Sequence, residues 1–191
     1  MGTFLSVFLS PMSNPSHVLT QNTDRSAPQE RLGVKMIDVS GKAVTRRTAV
    51  ASGRIRMAAA TRAAIQSGKI AKGDALTSAQ VAGILGAKKT PDLIPMCHPL
   101  ALSGVNIRFD LPASGDSDGA DVVITAEVTA TGQTGVEMEA ITAVAVAAIT
   151  LYDMCKGIDD AMVIGPITLL SKTGGRSGNI GPATPDLAEG L

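Results

Sequence analysis

The stretches LSGVNIRFDL, Leu102 to Leu111, and DVVITAEVT, Asp121 to Thr129, alternate apolar and polar residues with a period of two. Val105, Ile107 and Phe109 share one face of the first, and Val122, Ile124, Ala126 and Val128 share one face of the second. Strict alternation is the pattern of a strand buried on one side only. The intervening PASGDSDG is built from turn-forming residues, so the pair forms an antiparallel hairpin. Downstream, Glu137 to Lys156 contains no Gly or Pro and is apolar on nearly every side, which predicts a buried helix with Gly157 as its stop. Met162 to Ser171 reads as the last strand.

Upstream, Val44 to Arg56 mixes small, β-branched and charged residues in loose alternation and predicts a strand ending near Gly53. The Ala-rich Met57 to Ser67 favours helix, and Gly68 stands where a C-terminal cap belongs. Thr77 or Ser78 is expected to cap a second helix through Lys89, with Val81, Ile84 and Leu85 at turn spacing. Pro91, Pro95 and Pro99 exclude a long helix between there and the hairpin. Strand, two helices, two strands, helix, strand is the order of an α+β ferredoxin-like split βαβ fold with an extra helix, its antiparallel sheet packed against helices. Residues 1–32 are polar and aperiodic and read as a disordered N-terminal tail, with Met12 an alternative first residue. The catalytic domain is expected over 33–178, followed by a flexible tail over 179–191.

Composition excludes several classes of function. Lys+Arg and Asp+Glu balance at 17 each, which argues against general polyanion binding, since that affinity comes from excess positive charge. Aromatic residues make up 2% of the chain, and Phe109 and Tyr152 alone lie in its body, so bases have no stacking platform. No nucleic acid is expected as a partner. Cys97 and Cys155 form neither a disulfide framework nor a CxxC motif, which points to a reducing compartment, the cytoplasm. No apolar run reaches the roughly 18–20 residues that span a bilayer, and no basic region precedes the apolar start, so no membrane is expected either.

The charges of the 137–156 helix lie at its ends, Glu137 and Glu139 at the start, Asp153 and Lys156 at the finish. Helix-dipole complementarity accounts for all of them except Asp153, a carboxylate beside unpaired carbonyls. It is either functional or a solvated helix end. Asp153 and Lys156 share a face and can pair. Glu139 lies roughly 21 Å up the helix axis from Asp153, at about 1.5 Å per residue. If both ends serve one small-molecule site, a second chain has to supply one of them, as two-fold pairing of such helices would do.

Pro95-Met96-Cys97-His98-Pro99 holds its central residues extended and can present the one His of the body to a ligand, although a lone His is as readily structural. Zinc ligation by Cys97, His98 and Cys155 is the rival reading, but adjacent Cys-His chelates poorly and no second cluster exists, so no metal site is expected. Ala71-Lys72-Gly73-Asp74 is a turn before a helix, and Lys72 is there solvated or functional. Lys172-Thr173-Gly174-Gly175-Arg176-Ser177-Gly178 offers cations and free backbone N–H groups to phosphate without being a Walker A sequence. Arg46, Arg47, Arg54 and Arg56 add cations on the first strand, as a solvated edge or a phosphate clamp.

Taken in order, Lys72-Gly73-Asp74, Asp92 to Leu100 (DLIPMCHPL), Thr134 to Ala140 (TGVEMEA), Tyr152 to Lys156 (YDMCK) and Gly174 to Gly178 (GGRSG) closely resemble the cyclic pyranopterin monophosphate synthase family, molybdenum cofactor biosynthesis protein C. The resemblance runs from about Met36 to Gly178; the acidic turn around Asp116 to Asp121 departs from it. It implies a ferredoxin-like homohexamer, a trimer of dimers, with its site at a dimer interface. It implies a reaction too, the rearrangement of a cyclic dihydroguanosine triphosphate to cyclic pyranopterin monophosphate with loss of pyrophosphate. By the same resemblance Asp153 is the catalytic acid/base with Lys72 and Lys156 as partners. Met96, Cys97, His98, Met138 and Glu139 are substrate contacts, and Glu137 is an accessory carboxylate. These residue types suit the chemistry, because ring rebuilding moves protons and needs positioned groups with shifted pKa values. Departure of pyrophosphate needs cations, a role assigned to Lys172 with Arg176 behind it. No redox cofactor is required, since bonds rearrange without net electron transfer, and Mg2+ on the triphosphate is compatible with this.

Overall fold

The computed structural model describes residues 33–112, 120–175 and 181. The expected N-terminal tail, the C-terminal one apart from residue 181, the centre of the hairpin turn and Arg176 lie outside these. By its contacts the chain divides after Val34, and the unit Lys35–Leu191 holds every element among the described residues: β1 (Thr45–Met57), α1 (Ala59–Gln66), α2 (Ala75–Lys88), α3 (Thr90–Leu93), β2 (Leu102–Asp110), β3 (Ala120–Gly132), α4 (Glu137–Cys155) and β4 (Val163–Thr173).

The sheet order is β2-β3-β1-β4 with every pair antiparallel, the ferredoxin-like arrangement expected. Its helix-facing side carries Ala49, Ala51 and Ile55 from β1 and Val122, Ile124, Ala126 and Val128 from β3, all fully buried. Alternation in β3 is complete, buried and half-buried residues following one another from Ala120 to Ala130. Against this face lies α4, with Ala140, Ala143, Val144, Ala147 and Leu151 buried. No side chain caps its N-terminus. Burial holds it instead, at about 1.5–3 kcal/mol for a residue such as Leu151.

Three expectations are corrected, and one is refined. β1 continues four residues beyond Gly53 to Met57; the glycine does not end the strand but lets α4 approach, since a Cβ there would meet Val144 at 2.7 Å and Ile167 at 2.9 Å. The second helix is capped by Asp74 and not by Thr77 or Ser78, the Asp74 carboxylate accepting the Thr77 N–H at 3.0 Å. No long helix forms among the prolines, as expected, but a single helical turn, α3, does, with Pro91 at its start where a missing N–H costs nothing. Finally, α4 is long and apolar enough to cross a bilayer by length and composition, with a mean hydropathy of 1.5. Thr142 and Thr150 interrupt its apolar run, so its length as an apolar segment is less plain in the sequence than in the helix. Half of that window is buried inside the fold, as in a core helix.

α2 packs on α4 along a seam of small residues. A Cβ at Gly83 would come within 2.5 Å of Ile107 and 2.8 Å of the Ala143 carbonyl, and one at Gly86 within 2.8 Å of Val146. Gly68 takes φ +66° after α1, as a C-terminal cap requires, and Gly73 takes φ +108° in the turn that carries Lys72. At Gly157 φ is not positive; α4 ends on Lys156 as its cap, with the Lys156 N–H bonded to the Tyr152 carbonyl.

Candidate active site

Both ends of α4 carry clusters of charge. At the C-terminal end Lys72, Asp153 and Lys156 meet. The Lys72 ammonium donates to the Asp153 carboxylate at 2.8 Å and to its backbone carbonyl at 2.6 Å, and Lys156 reaches the other carboxylate oxygen at 2.9 Å. Lys72 arrives from the α1–α2 turn, which Gly68 begins and Asp74 ends. Thus the carboxylate that sat at the wrong end of the helix dipole has two cations on it. Their hydrogen bonds, Lys72 first and Lys156 next, hold the Asp153 carboxyl down at about 2, and the bond to Asp153 raises the Lys156 pKa.

At the N-terminal end the loop after α3 brings Cys97 to Glu139, Sγ to Oε1 at 3.5 Å. Glu139 is 1% exposed, and its Oε2 is buried without a hydrogen-bond partner. Burial pushes the Glu139 carboxyl up, and burial with the nearby Glu139 charge pushes the Cys97 thiol up to about 11. Glu137, one residue before the exposed Met138, accepts from Lys172 at 2.8 Å. Burial opposes its ionisation, but the Lys172 bond and the charges of Lys172 and Arg47 leave it below the ordinary value. Met96 is exposed and His98 half-buried in the same loop as Cys97. Cys155 sits at the far end of α4, so the cysteines are not gathered with His98. Among the described residues no three His, Cys, Asp or Glu side chains form a metal-binding group.

A cavity of about 500 Å³ opens at this N-terminal end, lined by Lys42, Arg47, Gln133, Glu137, Lys172 and the Gly174-Gly175 pair among others. Arg47, grouped in the sequence with three strand arginines, stands apart from them. It is 7% exposed and donates to the carbonyls of Gly132 at 3.2 Å and Gln133 at 3.3 Å. Gly174 and Gly175, at φ +90° and +87°, fold directly over it, and a Cβ on either would strike Arg46 or Arg47 atoms. The signal in sequence was there only as a glycine pair with no stated neighbour. None of Lys72, Asp153 and Lys156 lines the cavity. One chain therefore gathers the expected site residues into two groups, one at each end of α4.

An antiparallel ferredoxin-like sheet packed on a helix that ends in a Lys-Asp-Lys cluster, with a separate cation-lined cavity at the helix's other end, is the α+β frame of an enzyme for a small anionic substrate. Residues 36–175 match the MoaC family model, and the chain belongs to that family. It is 54% identical over 150 residues to a protein of Brevibacillus brevis, covering 78% of this chain and 91% of that one. It is 57% identical over 143 residues to one of Rhodospirillum rubrum, covering 75% and 84%. A protein of Heliobacterium modesticaldum is 53% identical over 150 residues, covering 78% and 92%. All three relatives carry the name cyclic pyranopterin monophosphate synthase.

Proposed function

We propose that this chain is a cyclic pyranopterin monophosphate synthase of molybdenum cofactor biosynthesis, rearranging a cyclic dihydroguanosine triphosphate with release of pyrophosphate. The observation that carries the reading is the Lys72–Asp153–Lys156 cluster, assembled from two separate elements in a chain of this family. Asp153, Lys72 and Lys156 are the catalytic groups. With its carboxyl at about 2, Asp153 is ionised at neutral pH and is a weak base while both ammonium groups hold it. A phosphate-bearing substrate that draws one ammonium away raises its basicity, so binding itself prepares the base. Lys172 and Arg47 supply positive charge for the departing pyrophosphate. Glu139, whose carboxyl burial pushes up, presents its partnerless Oε2 to the heterocycle, beside Cys97, His98, Met96 and Met138.

The two groups combine across a two-fold interface, one chain's Asp153 end beside its mate's Glu139 end, within a homohexamer built as a trimer of dimers. The separation of about 21 Å along one helix supports this, being too long for one small substrate to bridge. The protein itself requires no bound cofactor, with Mg2+ entering only on the triphosphate; turnover is expected to survive removal of all other metals by chelation, and its loss would overturn this. The test of function is turnover of the cyclic triphosphate by the purified chain, following pyrophosphate and pterin, with Asp153→Asn and Lys156→Ala alongside. Loss of turnover in both well-folded variants is expected. Binding of the nucleotide without turnover by the intact oligomer would instead make this a sensing module.

A further inference from the structure

Helix α1 has no cap of its own, since its N-cap residue is Ala58. A carboxylate about a hundred residues away does that work. One oxygen of Asp159 accepts the Ala58 N–H at 2.7 Å and the Thr61 hydroxyl at 3.0 Å, and the other accepts the Ala161 N–H at 3.2 Å. Thr61 is 2% exposed, so its hydroxyl has little recourse to water. Asp159 is also fixed from behind, its own N–H bonding the Cys155 carbonyl at 3.2 Å. It thus ties the segment leaving Lys156 to the start of α1, while the far end of the α1–α2 connection returns to α4 through Lys72 and Asp153. Between these two ties lie one short helix, the Gly68 cap and Ile70, 7% exposed.

Resting on the function proposed above, we propose that Asp159 is a positioning residue for that reaction. By capping α1 from across the fold, it sets where the α1–α2 turn delivers the Lys72 ammonium to Asp153. A positional error near 1 Å at a reacting group costs on the order of a hundredfold in rate. Asp159→Ala, which removes all three bonds, is expected to lower kcat per folded site by about ten- to a hundredfold with KM changed less than about threefold. Asp159→Asn keeps one side-chain carbonyl oxygen for Ala58 and Thr61, and is expected to recover most of that loss. Thr61→Val, which cuts a single bond and keeps the volume, falls between Asp159→Asn and Asp159→Ala and reads the same coupling should Asp159→Ala fail to fold. A purely structural cap would lower the melting temperature and leave kcat of the folded fraction untouched in all three, and that result overturns the inference while wild-type turnover stands. Absence of turnover by the wild-type chain overturns the functional reading and this inference together.

Discussion

Mixing two inactive variants restores activity if each site draws on two chains. Asp153→Asn damages the C-terminal end of α4 and Glu139→Ala the N-terminal end, roughly 21 Å apart on one 19-residue helix. If Asp153 of one chain works beside Glu139 of its mate, a mixed dimer contains one doubly damaged site and one intact site. Random exchange of equal amounts makes half of the dimers mixed, so about a quarter of all sites are intact and about a quarter of wild-type turnover returns. The assay is pyrophosphate release after co-refolding, with differently tagged chains to confirm that mixed oligomers formed. Isolated mixed oligomers should reach about half of wild-type turnover per dimer. Mixed oligomers no more active than either parent would refute the interface reading, because sites contained within one chain would each still carry a lesion.

Gly83→Ala puts a Cβ 2.8 Å from the Ala143 carbonyl, which the buried helix cannot withdraw. Overpacking of about 1–3 kcal/mol outweighs about 1 kcal/mol of helix propensity, so the urea midpoint falls; a stabilised variant would show the α2–α4 seam to be looser than described. Glu139 has a folded pKa above its ordinary value, so its contribution to stability is present below that value and lost as pH rises through the raised one. Glu139→Gln should melt no lower than wild type at about pH 8, and the comparison should turn further in its favour from acid to alkaline pH. Asp153 titrates the other way. Its depressed carboxyl stabilises the fold above the ordinary 3.8, and that contribution is lost as pH falls toward about 2. Carbon-detected NMR should find the Asp153 pKa raised in Lys72→Met, and an unchanged value would deny the ion pair.

The hairpin and α4 were legible because burial on one side, or on nearly all sides, leaves a period in the sequence. The Asp153–Lys156 pair was legible because three residues on a helix fix a shared face. What escaped depended on contacts made by distant segments. Gly53 looked like a strand end because a glycine carries no sign of Val144 pressing on it. Asp74 was hidden as a cap by the hydroxyls of Thr77 and Ser78, which stand where a cap is usually sought. Arg47 was indistinguishable from Arg46 until the Gly174-Gly175 turn closed over it, and Asp159 drew no notice because the N–H it satisfies belongs to Ala58. The candidate site was thus readable as a set of residues, and its division into two groups only as a length.

That length has a further meaning for how the protein can change. Between Glu139 and Asp153 the chain is unbroken helix, so a single inserted or deleted residue slides one end by about 1.5 Å and turns it by about 100° relative to the other. Such a change would swing Asp153 off the line of Lys72 or lift Glu139 away from Cys97, whichever end the sheet failed to hold. α4 therefore acts as a gauge whose phase, more than its composition, must be kept. Side chains along its middle can be exchanged by volume, whereas the number of residues in it cannot drift.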